Sequence, residues 1–161
     1  MTNTGLNAIV LILSLFVSSG AAAKTMFQLN AISGAQATHP SSMLGGLGVL
    51  GQFQLGDFAP FLGLEAYEYQ VTYLDKTRSY TDFGLDAGLK YYLSSEFLKN
   101  NFFFGSVGKA TVTYGKATDT PWRAGGGAGI VYNKVELAIG YYQYLNYNRD
   151  LYLVKLGVEL F

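Results

Sequence analysis

From Lys24 to the end, the chain alternates apolar and polar or glycine residues with a period of two. Successive side chains of a strand point to opposite faces, so this period prescribes strands and excludes amphipathic helices. It is cleanest at about 79–92, where Phe83, Leu85, Ala87, Leu89 and Tyr91 oppose Asp82, Gly84, Asp86, Gly88 and Lys90. A first strand at about 25–33 sets Phe27, Leu29 and Ala31 against Gln28 and Asn30. A second, at about 43–55, sets Leu47, Val49, Phe53 and Leu55 against Gly46, Gly48, Gln52 and Gln54, and Gly56-Asp57 supplies a tight turn. In the third, at about 58–73, Pro60, Leu62 and Leu64 oppose Phe61, Gly63 and Glu65. Strict alternation would then put Glu68 on the apolar face. The expectation is a β-bulge near Ala66, which inserts one residue and moves Tyr67, Tyr69, Val71 and Tyr73 to that face.

The fifth strand, at about 101–114, is read with Phe102, Phe104, Ala110, Val112 and Tyr114 on the apolar face and Gly105, Lys109, Thr111 and Thr113 opposite. The sixth, at about 122–132, sets Trp122, Ala124, Ala128, Ile130 and Tyr132 against Arg123, Gly125, Gly127 and Gly129. After Asn133-Lys134, strands at about 135–145 and 151–161 put Val135, Leu137, Ile139 and Tyr141, then Tyr152, Val154, Leu156, Val158 and Leu160, on the apolar face. Glu136, Ala138, Gly140 and Tyr142, then Lys155, Gly157 and Glu159, oppose them. Only Ser94–Asn100 is a candidate helical turn, and no connection is long enough for a crossover. Eight antiparallel strands joined by hairpins leave two open edges unless the sheet closes, so the fold expected is an all-β, closed, antiparallel up-and-down barrel.

Composition decides which face meets which solvent. Charged residues are 14% of the chain, against about 25% in an average soluble domain. The face opposite the apolar one is mostly glycine with isolated charges, which suits the crowded inside of a narrow barrel. The apolar face therefore looks outward to lipid, and the barrel is transmembrane. Trp122 and Tyr132 are ten residues apart on that face, as are Phe104 and Tyr114. Ten residues span roughly 33 Å, or roughly 25 Å of height at a tilt of about 40°, the height of an outer-membrane apolar band. One aromatic girdle is then expected from Phe27, Phe53, Tyr91, Phe102 and Tyr132, and the other from Tyr69, Tyr114, Trp122, Tyr141 and Tyr152.

The first 23 residues carry no charged side chain; Leu6 to Val17 is an apolar run of 12 residues broken only by Asn7 and Ser14, and Ala21-Ala22-Ala23 follows. The run is too short to span a bilayer as a helix. It reads as a signal peptide over 1–23, cleaved before Lys24, although its start has no Lys or Arg. The mature domain is then 24–161 and the destination the outer membrane of a Gram-negative bacterium.

The signal peptide, the eight strands, the glycine-rich alternation Gly84-Leu85-Asp86-Ala87-Gly88-Leu89-Lys90-Tyr91 and the terminal Phe161 resemble the small outer-membrane β-barrels typified by the OmpA transmembrane domain, OmpX/Ail-type proteins and the opacity proteins. The resemblance covers 24–161. It implies insertion by the barrel-assembly machinery, with Phe161 as part of the assembly signal, and a monomer surrounded by lipopolysaccharide and phospholipid. Phe161 departs from the usual phase, falling with Glu159 and Lys155 rather than with Leu160.

The inward face is expected to gather Glu65, Asp86, Glu136 and Glu159 with Lys90, Lys109, Arg123 and Lys155. Four acids and four bases in a confined lumen would pair, since an isolated charge there is costly. The leading reading is a salt-bridged plug in a non-enzymatic barrel that serves envelope structure or surface interaction; a narrow porin-like pore is the alternative. A lipid-modifying enzyme is a third class, but no match to the His/Ser motifs of such barrels is found, and His39, the single histidine, lies in an expected loop. No catalytic residue, metal ligand set or cofactor follows: there is no cysteine, and Gly125-Gly126-Gly127-Ala128-Gly129 lacks the Lys-Ser/Thr of a phosphate loop. A net charge of zero offers nothing to nucleic acid. The outward connections, about 34–42, 74–79, 115–121 and 146–150, are short and nearly balanced in charge, which argues against a large receptor footprint.

Overall fold

A computed structural model describes residues 24–37, 39–73, 76–94, 98, 100–145, 147 and 149–160. The expected signal segment, Phe161 and most of the expected helical turn at 94–100 lie outside the described residues. The rest is built from strands: β1 (Lys24–Gln36), β2 (His39–Gln54), β3 (Phe58–Tyr73), β4 (Lys76–Tyr92), β5 (Asn101–Tyr114), β6 (Ala117–Asp119), β7 (Trp122–Tyr132), β8 (Val135–Tyr144) and β9 (Asp150–Glu159). All pairings are antiparallel. Each long strand bonds to the next, β5 pairs β7, and β1 pairs β9, so eight strands close into a barrel. The three-residue β6 pairs only the end of β5.

The turns at the mouth that holds the chain ends are tight because their residues accept a left-handed backbone. Gly56 has φ 62° and Asn133 φ 55°, and Asn is among the side chains that tolerate this region best. At the far mouth the wall is uneven. β2–β3 pairing stops at Leu44 opposite Tyr69, and β4–β5 pairing stops at Tyr80 opposite Tyr114. β3 and β4 continue together to Tyr73 opposite Lys76. A ribbon of four residue pairs therefore stands beyond the barrel rim.

Burial alternates as the period predicts. Leu29, Leu47, Val49, Leu85, Ile139, Val154 and Leu156 are exposed on the outside. Gln28, Asn30, Gln52, Asp86, Lys90 and Arg123 are buried inside. This is inverted relative to a soluble core, and it is the arrangement of a barrel whose outer solvent is lipid.

Three expectations are corrected. β3 has no bulge at Ala66: its register with β4 runs unbroken from Phe58 opposite Tyr91 to Tyr73 opposite Lys76. Tyr67 and Tyr69 consequently point inward, where Tyr67 meets a buried cation, and Glu68 stands outward near the rim opposite Thr81. β5 has the opposite phase to the one read from sequence. Phe102, Ser106, Gly108, Ala110 and Val112 are buried inside, whereas Phe103, Val107 and Lys109 are exposed outside. Phe102-Phe103-Phe104 puts an aromatic on both faces, so the local pattern does not separate them. In the fold the inward row must be small at Ser106, Gly108 and Ala110, because side chains from β4, β7 and β8 fill the space in front of it. Finally, the connection expected at about 34–42 is mostly strand: β1 runs to Gln36 and β2 begins at His39, with a register shift between Ala35 and Gln36.

Candidate functional site

The lumen contains the candidate chemistry. At its centre is Arg123, projected inward from the start of β7 and wholly shielded from solvent. Arg123 Nε donates to Asp86 Oδ1 at 2.9 Å, and Nη2 donates to Asp86 Oδ2, closing a bidentate pair. Nη2 also donates to Glu65 Oε2 at 3.2 Å, and Nη1 donates to the Tyr67 hydroxyl. A third carboxylate, Asp82, has Oδ1 3.7 Å from Nη1 and accepts from the Tyr144 hydroxyl at Oδ2. The rings of Tyr67 and Tyr142 lie 5.5 Å and 5.3 Å from the guanidinium carbon.

The cluster forms because three consecutive strands share one row. Asp86 of β4 is in register with Gly108 of β5, which is in register with Arg123 of β7. A side chain at Gly108 would overlap Asp86 Oδ1, so its absence lets Asp86 and Arg123 meet across an intervening strand. Gly84 clears the guanidinium in the same way, and a Cβ at Gly125 would overlap the Tyr142 ring. The lumen glycines seen in the sequence are therefore the counter-shape of the large residues facing them.

Toward the chain-end mouth, Lys155 Nζ bonds Glu65 Oε1 and donates to the Tyr142 hydroxyl at 2.9 Å. Lys90 pairs with Glu136 and lies 4.9 Å from the centre of the Phe102 ring. Gln28 donates to Asn30 at 2.6 Å, and Gln52 donates to the Tyr92 hydroxyl at 3.2 Å. At the rim Lys24 pairs with Glu159 at 2.8 Å. A small vestibule of about 130 Å³ opens there between Gln28, Gln52, Tyr92 and Glu136. On the other side of Arg123 the lumen turns apolar, with Ile32, Leu44, Val112, Leu151 and Leu153 buried together. Above them Tyr69 stacks on Tyr80 at 5.2 Å, and the Arg149 guanidinium sits 4.6 Å from the Tyr80 ring.

Of the eight charges expected inside, the structure brings Glu65, Asp86, Lys90, Arg123, Glu136 and Lys155 into the lumen and Glu159 to its rim. Lys109 is not among them, because β5 carries it on the outer wall, 5.9 Å from the Trp122 ring. Asp82, which shares the alternation of Asp86, joins them, and the hydroxyls of Tyr67, Tyr142 and Tyr144 bond to Arg123, Lys155 and Asp82 in turn. Among the described residues the ion pairs of the lumen and its rim thus join five acids (Glu65, Asp82, Asp86, Glu136, Glu159) to four bases (Lys24, Lys90, Arg123, Lys155), and a fifth base, Arg149, lies over the Tyr69 and Tyr80 rings at the far mouth.

Of the expected girdle residues, Phe27, Tyr91, Trp122, Tyr132, Tyr141 and Tyr152 are exposed on the outside and Phe53 is half-buried in the same phase. Tyr69 and Phe102 are instead buried in the lumen, and Tyr114 is in the inward phase at the far mouth, against Tyr80 at 5.6 Å. Phe103 replaces Phe102 on the outer wall, in register with Tyr91. The ten-residue spacing of Phe104 and Tyr114 therefore measures no girdle, whereas that of Trp122 and Tyr132 lies on the outer face.

No protein-family model matches the chain, and no curated protein sequence does. Solved structures do. Neisserial surface protein A (NspA) is 13% identical with a TM-score of 0.57, covering 87% of this chain and 99% of its own. The outer membrane enzyme PagL is 10% identical with a TM-score of 0.61, over 81% and 98%. The Yersinia pestis outer membrane protein Ail is 9% identical with a TM-score of 0.56, over 85% and 100%. Identities this low speak for the fold and not for an activity. The chain has the fold of the small eight-stranded outer-membrane β-barrels.

Proposed function

We propose that this protein is a non-enzymatic barrel of the outer membrane whose lumen is a charged plug, serving envelope structure or surface interaction. The observation that carries the reading is Arg123, fully buried and bonded to Asp86, Glu65 and Tyr67. A guanidinium held by carboxylates and packed between tyrosine rings fills the cross-section of a narrow barrel instead of lining a water path. The chain-end mouth, with its tight turns at Gly56 and Asn133, faces the periplasm in this reading. Residues 1–23 act as the export signal, the barrel-assembly machinery inserts the domain, and the barrel works as a monomer in lipopolysaccharide and phospholipid.

An enzyme would need a nucleophile or acid–base pair at a cleft open to substrate. The clustered carboxylates here are instead committed to Arg123, Lys155 and Lys90. The test is reconstitution of the full mature barrel in vesicles of phospholipid and lipopolysaccharide. The reading expects no release of entrapped small solutes and no change in either lipid by mass spectrometry. Solute release would favour the narrow pore, and deacylated or otherwise altered lipid would favour an enzyme.

A further inference from the structure

The β3–β4 ribbon beyond the far rim has two free edges of unlike charge. Neither neighbour follows it: β2–β3 pairing ends at Leu44 opposite Tyr69, and β4–β5 pairing ends at Tyr80 opposite Tyr114. On the β4 side Lys76, Thr77, Arg78 and Ser79 pair with β3 alone, and all four are exposed. Alternate residues of a strand turn N–H and C=O to the same side, so this stretch offers unpaired backbone donors and acceptors over about 13 Å. β5 stops short because Gly115, at φ 60°, turns the chain back into β6, which pairs on the side of β5 away from β4. A notch of about 410 Å³ opens where a longer β5 would run, lined by Thr77, Arg78, Ser79, Tyr114 and Gly115.

Unpaired charge around this notch is positive. Lys76 and Arg78 take the phase of Tyr80 on β4, and Lys116 follows Gly115 in the turn. Arg149 lies over the same Tyr80 ring at 4.6 Å. Among the described residues no carboxylate pairs with any of these four cations. Asp119 of β6 accepts from the Tyr114 hydroxyl at 3.1 Å, and Asp150 is taken into β9 in register with Gln143. The β3 edge differs. It carries Gln70, Val71 and Thr72, with Met43 and the exposed Glu68 at its foot. Cationic side chains on a free edge deter a second copy of that edge. They favour a strand of opposite charge, because opposed residues of unlike charge stabilise a strand pair.

We infer that the β4 edge takes up an extended acidic segment of another protein as an added strand. Alternate aspartates or glutamates of that segment lie against Lys76 and Arg78, and small or hydroxylic residues lie against Thr77 and Ser79. The inference gives the surface-interaction role a partner chemistry and rests on the outer-membrane reading above, which turns this mouth to the outside of the cell.

The test is binding of synthetic peptides to the full mature barrel in lipid nanodiscs, followed by fluorescence anisotropy. The probes are an alternating Glu-Thr peptide of about eight residues, the same peptide with every backbone nitrogen methylated, and an alternating Lys-Thr peptide. Methylation removes the N–H donors and keeps the charge. Wild type is expected to bind the Glu-Thr peptide about tenfold more tightly than either of the others. The double variant Lys76→Glu, Arg78→Glu reverses the preference between Glu-Thr and Lys-Thr. The chain has no cysteine, so single cysteines locate the site. Ser79→Cys should form a disulfide with a cysteine placed in the Glu-Thr peptide, and Gln70→Cys, in register with Ser79 but on the other edge, should not. Equal binding of the methylated peptide would overturn strand addition and leave charge attraction alone. Equal binding of the Lys-Thr peptide would overturn the acidic preference, equal cross-linking from Gln70→Cys the choice of edge, and no binding of the Glu-Thr peptide the proposal as a whole. Labelling of Thr77→Cys on intact cells by a membrane-impermeant maleimide measures the orientation separately. A Thr77→Cys variant shielded on cells, in a barrel that binds the peptide once purified, would count against the outer-membrane reading and not against the site.

Discussion

Truncating Arg123 to alanine isolates the contribution of the lumen cluster. The change removes both bonds to Asp86, the 3.2 Å bond to Glu65 and the bond to Tyr67. The three carboxylates are not equally stranded. Glu65 keeps Lys155 and Asp82 keeps the Tyr144 hydroxyl, whereas Asp86 loses the guanidinium that held both of its oxygens. One buried carboxylate left without its cation costs about 3–5 kcal/mol. Water entering the vacated space offsets part of that, so the lower end, about 3 kcal/mol, is expected. Urea unfolding in vesicles, followed by fluorescence of Trp122, the one tryptophan, reads the loss directly. The double variant Arg123→Ala, Asp86→Ala should recover about 0.5–3 kcal/mol of it, since the stranded charge is gone. A loss below about 1 kcal/mol, the scale of a solvated surface pair, would refute the claim that the cluster is a desolvated plug.

The row shared by three strands predicts a contrast within β5. Gly108→Val should cost about 1–3 kcal/mol in the same assay by overlapping Asp86 and the Leu85 carbonyl, whereas Gly105→Ala, with its nearest heavy atom 3.9 Å away, should be close to neutral. The corrected phase of β5 predicts that a spin label at Phe103→Cys relaxes with lipid-soluble oxygen and one at Phe102→Cys does not; the reverse pattern would restore the phase read from sequence. N-terminal sequencing of protein extracted from membranes should begin at Lys24, and an intact Met1 would defeat the signal-peptide reading.

The closed barrel was legible in the sequence because its cause is local and repeated. Each strand shows the two faces side by side, and Gly56 and Asn133 mark turns whose backbone they alone make cheap. Wherever one face was apolar and the other glycine or charge, as in β4, β7 and β9, the phase read from the residues is the phase of the fold. The failures came where side-chain type does not separate the faces. In β5 three phenylalanines run together, and the deciding constraint is the volume of residues on other strands, which no local pattern carries. In β3 the expected bulge assumed that the apolar band continues to the strand end. The strand rises past the rim instead, so Glu68 can face outward into water while Tyr67 turns in to Arg123. Asp82 needed no new signal, only its place in the same alternation as Asp86. The pairing of Arg123 with Asp86 across Gly108 was hidden because it depends on the register of three strands.

The central claim is that the lumen is filled, and single-channel recording of the wild-type barrel in a planar bilayer tests it most directly. With Arg123 locked to Asp86 and Glu65 between the Tyr67 and Tyr142 rings, the account predicts no sustained conductance. Brief flickering currents should appear only after Arg123→Ala admits water. Stable, ion-selective channels from the wild-type protein would contradict the plug and establish the narrow pore in its place.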